Sequence, residues 1–287
     1  MPFLFNNVTI IGVGLIGGSL AKILKAKNLA GRITGAGRSN ATLEQALELG
    51  VIDRRGRSAA SAVEDADLVV LATPVGTFER IVREIGPRLK PGAILTDVGS
   101  VKGTLIGKIE NVIPAGAHYV PAHPIAGREK SGVAESIETL FQGRRCILTP
   151  TARTDRKALE TVRAMWIAAG ADVSIMDADL HDKVFAAVSH MPHVAAFAMM
   201  CAVSELNTGT EDYVQFSGAG FRDFTRIAAS SPEMWKDVCL MNRDNLLPMI
   251  DRYLASLNQF KREIGSGDEK LLEQHLKSAS DARKRLG

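Results

Sequence analysis

Two short motifs in the first half of the chain contain side chains that could transfer a proton. Residues 97–102 (DVGSVK) include Ser100, and residues 122–127 (AHPIAG) include His123. Each motif follows an apolar run that predicts a buried strand, so both should lie at the carboxyl edge of a parallel sheet. Histidine is the side chain best suited to remove a proton near neutral pH, and a neighbouring hydroxyl can fix its orientation and tautomer. We therefore predict that His123 and Ser100 are catalytic.

A glycine-rich segment near the start of the chain predicts a dinucleotide site. Residues 8–20 (VTIIGVGLIGGSL) contain the G-x-G-x-x-G spacing directly after a predicted strand and at the start of a predicted helix. The first glycine allows a tight turn, the second a close approach of backbone to pyrophosphate, and the third close packing of helix on strand. The helix N-terminus offers N–H groups and a partial positive charge to the phosphates. The residues predicted to bind the cofactor here are Gly12, Gly14, Leu15, Ile16 and Gly17.

The end of the second predicted strand bears on which dinucleotide binds. The chain there reads GAGRSN over residues 35–40, without the Asp or Glu that usually holds the ribose 2′-hydroxyl of NAD. Arg38 and Ser39 could bind a 2′-phosphate instead, or Arg38 could stack on the adenine and leave NAD usable. We therefore favour NADP and keep NAD as the alternative. The residues expected to line the nicotinamide half of the pocket, after another strand at the same edge, are Thr73, Pro74 and Val75.

The distribution of apolar residues predicts two different halves. Up to about residue 170, short runs rich in Val, Ile and Leu alternate with amphipathic segments, which is typical of a parallel sheet covered by helices on both faces. The predicted strands are residues 8–11, 33–36, 68–72, 94–96, 119–121, 146–148 and 173–176. After residue 177 the spacing is helical, as in 178–206 and 232–260. We predict an α/β fold, with a doubly wound Rossmann-type domain over 1–177 and an all-helical domain over 178–287.

Charge and hydropathy limit the partners. The 287 residues include 35 basic and 32 acidic ones, a net charge of +3 without basic runs, so we do not expect nucleic acid to bind. The N-terminal residues lack a signal-peptide pattern, and no uninterrupted apolar run reaches the roughly 18 to 20 residues of a membrane helix. We expect a cytoplasmic protein with no membrane partner. The very apolar residues 194–203 (VAAFAMMCAV) exceed what a small helical domain can bury, which predicts a homodimer through the helical half.

Further motifs give the sequence a specific resemblance. DVGSVK and HPIAG are followed by EKSG at 129–132, SHMPH at 189–193 and GFRDFTRIA at 220–228. In this order the motifs resemble the prephenate and arogenate dehydrogenase family, over about residues 6–260. The resemblance implies a cytoplasmic homodimer of tyrosine biosynthesis that oxidises and decarboxylates a cyclohexadienol, prephenate or arogenate, to an aromatic ring. In that reaction His123 would take the hydroxyl proton, and no metal is needed.

The two carboxylates of such a substrate need cationic partners. Arg222 and Arg226 are four residues apart at the start of a predicted helix, so both should point into the same cleft. The resemblance implies that His193 contacts the substrate. Trp235 could form a wall of the pocket or an ordinary part of the core. Glu129 could be a gating ion-pair partner or could sense the amino group of arogenate.

His190 and Arg128 lie beside these residues in the same motifs. His190 and His193 have the spacing of metal ligands, but no third ligand is evident, so we expect no metal and a structural His190. Arg128 stands where the family often has a small polar residue. It could favour the dianionic keto acid prephenate, or it could point to solvent.

Two other functions compete with this one. A 3-hydroxyacid dehydrogenase would use a lysine of the second domain, for which only Lys183 is suitably placed. A dinucleotide sensor would perform no chemistry, and a base with two anion sites argues against it. We expect no mutase or ligand-sensing domain in the chain, and we expect that tyrosine can inhibit by occupying the active site.

Overall fold

The main sheet has six parallel strands. A computed structural model describes residues 3–128, 130–207 and 211–285. The strands are β1 (Phe5–Ile11), β2 (Ala30–Ala36), β3 (Arg54–Arg55), β4 (Leu68–Leu71), β5 (Ile94–Asp97) and β6 (His118–Val120). Their order in space is β3-β2-β1-β4-β5-β6, so the order reverses between β1 and β4. In open α/β sheets the crevice beyond this switch point is where ligands bind.

Helices cover both faces of this sheet. They are α1 (Leu15–Ala26), α2 (Asn40–Glu48), α3 (Ala59–Ala62), α4 (Phe78–Ile85) and α5 (Gly103–Glu110). Along β4, Leu68 and Val70 belong to one apolar cluster and Val69 and Leu71 to the other, and all four are fully buried. Because alternate side chains point to opposite faces of a strand, both faces are covered. The predicted doubly wound fold is confirmed.

A second, smaller sheet departs from the prediction. It contains β7 (Ala122–Pro124), β8 (Arg145–Leu148) and β9 (Asp172–Ile175), with helix α6 (Arg156–Ala168) between the last two. Strand β7 is antiparallel to β8, and β8 is parallel to β9. We had expected these runs to continue the main sheet. Pro121, which has no N–H to donate, separates β6 from β7. His123 pairs with Ile147 of β8, so it lies within a strand and not in a loop.

The described residues after β9 contain helices and no strand, which confirms the predicted helix-rich region. They begin with α7 (Ala178–Phe185), a π-helical turn (Ala186–His190) and α8 (Met191–Ser204), which form one continuous stretch. By length and composition alone, that stretch is long and apolar enough to cross a membrane. Within its most apolar 18 residues, 33% are buried inside the protein. After α8, the described helical elements of the first compact unit, residues 1–242, are a 3₁₀ turn (Tyr213–Phe216), α9 (Ala219–Thr225), a second 3₁₀ turn (Arg226–Ala229) and α10 (Pro232–Met241).

The second compact unit, residues 243–287, is a helical pair. It consists of α11 (Arg243–Ser266) and α12 (Glu269–Lys284). The carboxylate of Glu263 is 4% exposed and lies 3.1 Å from Nδ1 of His275, which links the two helices. The predicted helical spacing of this region is therefore confirmed.

Candidate functional site

The glycine turn after β1 forms a cradle that fits a dinucleotide. Gly12 has a φ of +99°, and a Cβ there would lie 2.5 Å from the Ala72 carbonyl oxygen. A Cβ on Gly17 would press against the Gly12 carbonyl oxygen, whereas a Cβ on Gly14 would meet nothing within 4 Å. The backbone is thus closely packed on the protein side and open on the outer side. Gly14 caps α1 without a side-chain hydrogen bond, so the N–H groups of the first turn, at Leu15 and Ile16, are not used by a cap.

The loop after β4 is held in one shape beside this cradle. The Thr77 hydroxyl donates to the carbonyl oxygen of Pro74 at 2.7 Å and therefore accepts from the Thr73 hydroxyl, also at 2.7 Å. Val75 is 4% exposed. The Asp237 carboxylate of α10 accepts a hydrogen bond from the Gly76 N–H at 3.2 Å. The predicted nicotinamide-side residues are therefore close to the glycine turn and fixed by their neighbours.

Arg38 and Ser39 lie at the carboxyl end of β2, as expected from the sequence. The Ser39 hydroxyl oxygen caps α2 by accepting from the Thr42 N–H at 3.2 Å. The Arg38 side chain is 73% exposed, and its Nη2 lies 3.4 Å from Oε2 of Glu233 on α10. A 2′-phosphate at this position would compete with Glu233 for the guanidinium.

A buried ion pair fixes the DVGSVK loop. Nζ of Lys102 is 2.5 Å from Oδ1 of Asp97, and both side chains are fully buried. The same oxygen accepts from the Gly99 N–H at 2.7 Å, and the Tyr119 hydroxyl donates to Oδ2 at 2.7 Å. Burial and the adjacent Asp97 carboxylate raise the pKa of Tyr119 well above its usual value, so the phenol stays a donor. Removal of one member would leave an uncompensated buried charge.

His123 stands at the end of a chain of buried polar side chains. Its Nδ1 lies 2.8 Å from Nε2 of His181, and Nδ1 of His181 lies 2.8 Å from Oδ1 of Asp182. The Asp182 carboxylate also accepts from the Lys102 N–H at 2.8 Å and from the Gly103 N–H at 2.7 Å. Helix α7 thereby joins the DVGSVK loop to His123.

The protonation states along this chain follow from its geometry. A carboxylate only accepts, so Nδ1 of His181 carries a proton. Burial lowers the pKa of His181, whose Nε2 is therefore a lone pair that accepts from Nδ1 of His123. The pKa of His123 is also held well below its usual value, first by burial and then by His181, Lys102 and His190. Neutral His123 thus keeps an unprotonated Nε2, with no partner in the described part of the chain.

Ser100 shares the loop but not this hydrogen-bond chain. It is half-buried, and among residues 3–128, 130–207 and 211–285 no hydrogen bond joins it to His123. The group that bonds Nδ1 of His123 is His181, which the sequence analysis did not single out. A direct role for Ser100 stays a prediction.

A cavity of about 250 Å³ brings several predicted substrate residues together. Its lining consists of Gly127, Arg128, His193, Arg226, Ile227, Ser230, Met234 and Trp235. The imidazole of His193 stacks on Trp235 with ring centres 3.8 Å apart. Nδ1 of His193 lies 2.9 Å from the Ser189 carbonyl oxygen and must donate to it. Burial, opposed by that bond and assisted by Arg226, lowers the pKa of His193, whose Nε2 is then an acceptor.

Arg222 does not join Arg226 in that lining. Its Nε donates to the Ser217 hydroxyl at 3.2 Å, and the side chain is exposed. Helix α9 ends at Thr225 and Arg226 begins a 3₁₀ turn, so the two arginines are not on one continuous α-helical face. Arg128 is the additional cation that lines the cavity.

The remaining predicted residues have separate surroundings. Glu129 lies outside the described residues. His190 is fully buried, and burial lowers its pKa to about 4; Asn242 donates to its Nδ1 at 3.0 Å, which suits a structural role. Lys183 is exposed on α7. In the part of the chain that the structure describes, no group of three or more His, Cys, Asp or Glu could hold a metal.

Comparison with known proteins identifies the family. The prephenate dehydrogenase nucleotide-binding domain matches residues 20–175, and the prephenate dehydrogenase dimerization domain matches residues 177–278. The cyclohexadienyl dehydrogenase of Zymomonas mobilis is 35% identical over 97% of this chain and 95% of its own length. The chain belongs to the prephenate dehydrogenase family. As a member it is an NAD(P)-dependent oxidoreductase, as the motifs predicted.

Two further family members are similar over nearly all of the chain. The prephenate dehydrogenase of Bacillus subtilis is 34% identical over 97% of this chain and 75% of its own length. The structure of the prephenate dehydrogenase from A. aeolicus, in complex with hydroxyphenyl propionate and NAD+, has 40% identity and a TM-score of 0.92, with 98% of each chain covered. The glycine turn of this chain and the family together support a nicotinamide dinucleotide as cofactor.

The glycine turn generates a paired test. Gly17→Ala is expected to destabilise the fold by about 1–3 kcal/mol, because the new methyl group meets the backbone of Gly12. Gly14→Ala is expected to leave the melting temperature unchanged and to weaken dinucleotide binding about ten-fold or more, because the methyl group would lie where backbone approaches pyrophosphate. Thermal unfolding and calorimetric titration measure the two effects. Unchanged dinucleotide affinity in Gly14→Ala would place the cofactor elsewhere.

Proposed function

We propose that this chain oxidises and decarboxylates prephenate, arogenate or both. The feature that carries the proposal is the unprotonated Nε2 of His123. His123 belongs to the 122–127 motif, whose last residue, Gly127, lines the cavity with two arginines on its wall. Nε2 is the atom that can take a proton from a substrate hydroxyl. In this substrate the hydroxyl-bearing ring carbon also carries the hydrogen that leaves as hydride. A nicotinamide dinucleotide bound at the glycine turn would supply the hydride acceptor.

Proton transfer by His123 can be balanced over the whole reaction. The hydroxyl proton moves to Nε2 of His123 as the carbon–hydrogen bond breaks. The bond between the ring and its carboxylate then breaks. Carbon dioxide leaves, and the electron pair of the broken bond stays with the ring and makes it aromatic. His123 returns the proton to the ring oxygen, which becomes a phenol, and the histidine is neutral again. No proton is lost or gained overall, and aromatisation makes the reaction effectively irreversible.

The cationic wall of the cavity fits a substrate with two carboxylates. We assign Arg226 and Arg128 to these groups, since both line the cavity. Trp235, 7% exposed and stacked on His193, would form the flat wall against the ring. Nη1 of Arg128 lies 3.9 Å from Oε2 of Glu135, so a substrate carboxylate would compete with Glu135 for this cation. Because the cation disfavours the ammonium group of arogenate, we expect prephenate to be the preferred substrate. Arg222 and Glu129 keep their predicted substrate roles as proposals. Tyrosine, with a similar ring and a carboxylate, would inhibit by occupying this cavity.

NADP remains our first choice of cofactor. Residues 37–40 (GRSN) offer no carboxylate to a ribose 2′-hydroxyl, and Arg38 is available for a 2′-phosphate once it leaves Glu233. NAD is the alternative.

We propose that residues 1–177 bind the cofactor and contribute His123 and Arg128 to the substrate site. Residues 178–287 supply the rest of the substrate site and form a homodimer in the cytoplasm. In one chain, residues 194–203 of α8 bury only Ala195 and Ala196, and Met199 is 40% exposed. A second copy of the chain would remove this apolar surface from water. The match to a dimerization domain supports the same assignment.

The direct test is absorbance at 340 nm with purified protein, in four combinations of prephenate or arogenate with NAD or NADP. We expect turnover with prephenate, and a higher kcat/KM with NADP than with NAD. The ratios decide substrate and cofactor. Absence of turnover in all four combinations, with dinucleotide binding intact, would reject the proposed reaction.

The role of His123 predicts a pH dependence as well as a mutant effect. His123→Asn should lower kcat about 100-fold or more, as for loss of a general base, with dinucleotide affinity unchanged. In the wild type, kcat/KM should fall as pH falls through the pKa of His123. Because burial, His181, Lys102 and His190 hold that pKa well below 6.5, activity should still be near its plateau at the usual histidine value. An acid limb at or above that value contradicts this assignment.

Arginine replacements distinguish the two candidate anion sites. Arg226→Ala is expected to raise KM on the order of ten-fold with a smaller change in kcat, because a substrate carboxylate loses an exposed cationic partner. Arg222→Ala is the matched variant four positions earlier. An equal rise in KM in the two variants would assign both arginines to substrate binding. A rise in Arg226→Ala alone would agree with the cavity, which Arg226 lines and Arg222 does not. No change in Arg226→Ala would remove that residue from the site.

A further inference from the structure

We propose that His181 and Asp182 are positioning residues that hold His123 in the tautomer with a free Nε2. The inference rests on the proposed function in one respect, the role of His123 as the base. His181 and Asp182 of helix α7 join the residues that act in the reaction. The imidazole of His181, and not the hydroxyl of Ser100, orients His123.

Asp182 is itself firmly oriented. Its Oδ2 accepts from the Gly103 N–H, and its Oδ1 accepts from both the Lys102 N–H and Nδ1 of His181. The backbone carbonyl of Asp182 accepts from Nδ2 of Asn242 at 2.8 Å. Because the carboxylate is held by two backbone donors, its Oδ1 presents a fixed acceptor to His181. The side chain of Asp182 is 5% exposed, so water does not compete for this bond.

The opposite arrangement of protons is unfavourable. If His123 carried its proton on Nε2, its Nδ1 would be a lone pair facing His181, and Nε2 of His181 would have to donate. Neutral His181 would then present a lone pair to the carboxylate of Asp182 at 2.8 Å, with two acceptors in contact. A doubly protonated His181 would avoid this contact and would be favoured by Asp182. Burial, assisted by the nearby Lys102 cation, outweighs that effect and lowers the pKa of His181. The tautomer of His123 that fits this hydrogen-bond chain therefore carries its proton on Nδ1 and a lone pair on Nε2.

The pair also acts while His123 holds the substrate proton. The imidazolium then donates from Nδ1 to a neutral His181, which is polarised by the carboxylate beyond it. The proton from substrate stays on Nε2 of His123 and returns to the ring oxygen, so Asp182 remains ionised throughout. His181 transmits the orientation of Asp182 and keeps the carboxylate out of direct contact with the base. The ring of Phe185 packs against both imidazoles, with ring centres 4.8 Å from His123 and 4.5 Å from His181.

Two replacements of His181 separate positioning from packing. His181→Gln keeps an amide that can accept from His123 and donate to Asp182. His181→Phe keeps an aromatic ring against Phe185 but offers no acceptor. We expect kcat to fall about 100-fold or more in His181→Phe and to recover at least about ten-fold of this in His181→Gln, as for misorientation of a general base. Substrate KM and dinucleotide affinity should stay near the wild-type values. Lys183→Gln, an exposed position on the same helix, is the control.

Imidazole ¹⁵N NMR of the wild-type chain provides a readout that needs no substrate. The His123 signals, assigned by their loss in His123→Asn, should show a protonated Nδ1 and an unprotonated Nε2 near pH 7. His181→Gln should preserve this pattern, and His181→Phe should shift it towards the other tautomer. Wild-type His123 with a protonated Nε2, or wild-type kcat in a folded His181→Phe, would overturn the proposal. If the chain turns over neither substrate, the proposed function fails while the NMR measurement still decides the tautomer.

Discussion

The carboxylate of Asp182 is the constraint on which the arrangement of the site depends. It accepts the backbone N–H groups of Lys102 and Gly103, at the end of the loop that follows β5, and it orients His181 on its own helix. One side chain therefore connects the sheet, the first helix of the helical region and His123. Because each bond to a buried carboxylate is charge-assisted, this connection is stronger than one made by neutral groups.

Electrostatics within the same region serve both folding and chemistry. The Lys102 cation is compensated by Asp97, so a full charge is tolerated at a fully buried position. Burial first, and this cation in addition, lower the pKa of His123 and of His181, so both imidazoles are neutral. A neutral histidine can act as a base, and a neutral neighbour can accept its hydrogen bond. The loop that follows β5 thus adds to the effect of burial on the protonation of the base.

Helix α10 links the two binding regions. Glu233 near its start approaches Arg38, Trp235 lines the cavity against His193, and Asp237 holds the loop after β4 through Gly76. These three side chains contact, in turn, the arginine predicted at the adenine end, the candidate substrate cavity and the loop predicted to lie beside the nicotinamide.

Local patterns determined much of this protein. The glycine spacing after β1, the apolar runs and the order of motifs specified the doubly wound sheet, the helix-rich second half, the cofactor turn and the family, because these depend on residues close together in the chain. The tertiary structure alone decided that β7 leaves the main sheet, that Arg128 and not Arg222 lines the cavity, and that His181 bonds His123. The two histidines are 58 residues apart, and periodicity carries no information about such a pair. Their hydrogen bond exists because α7 lies against the loop after β5 and beside β7, which brings together two side chains whose polar atoms, once buried, must find partners.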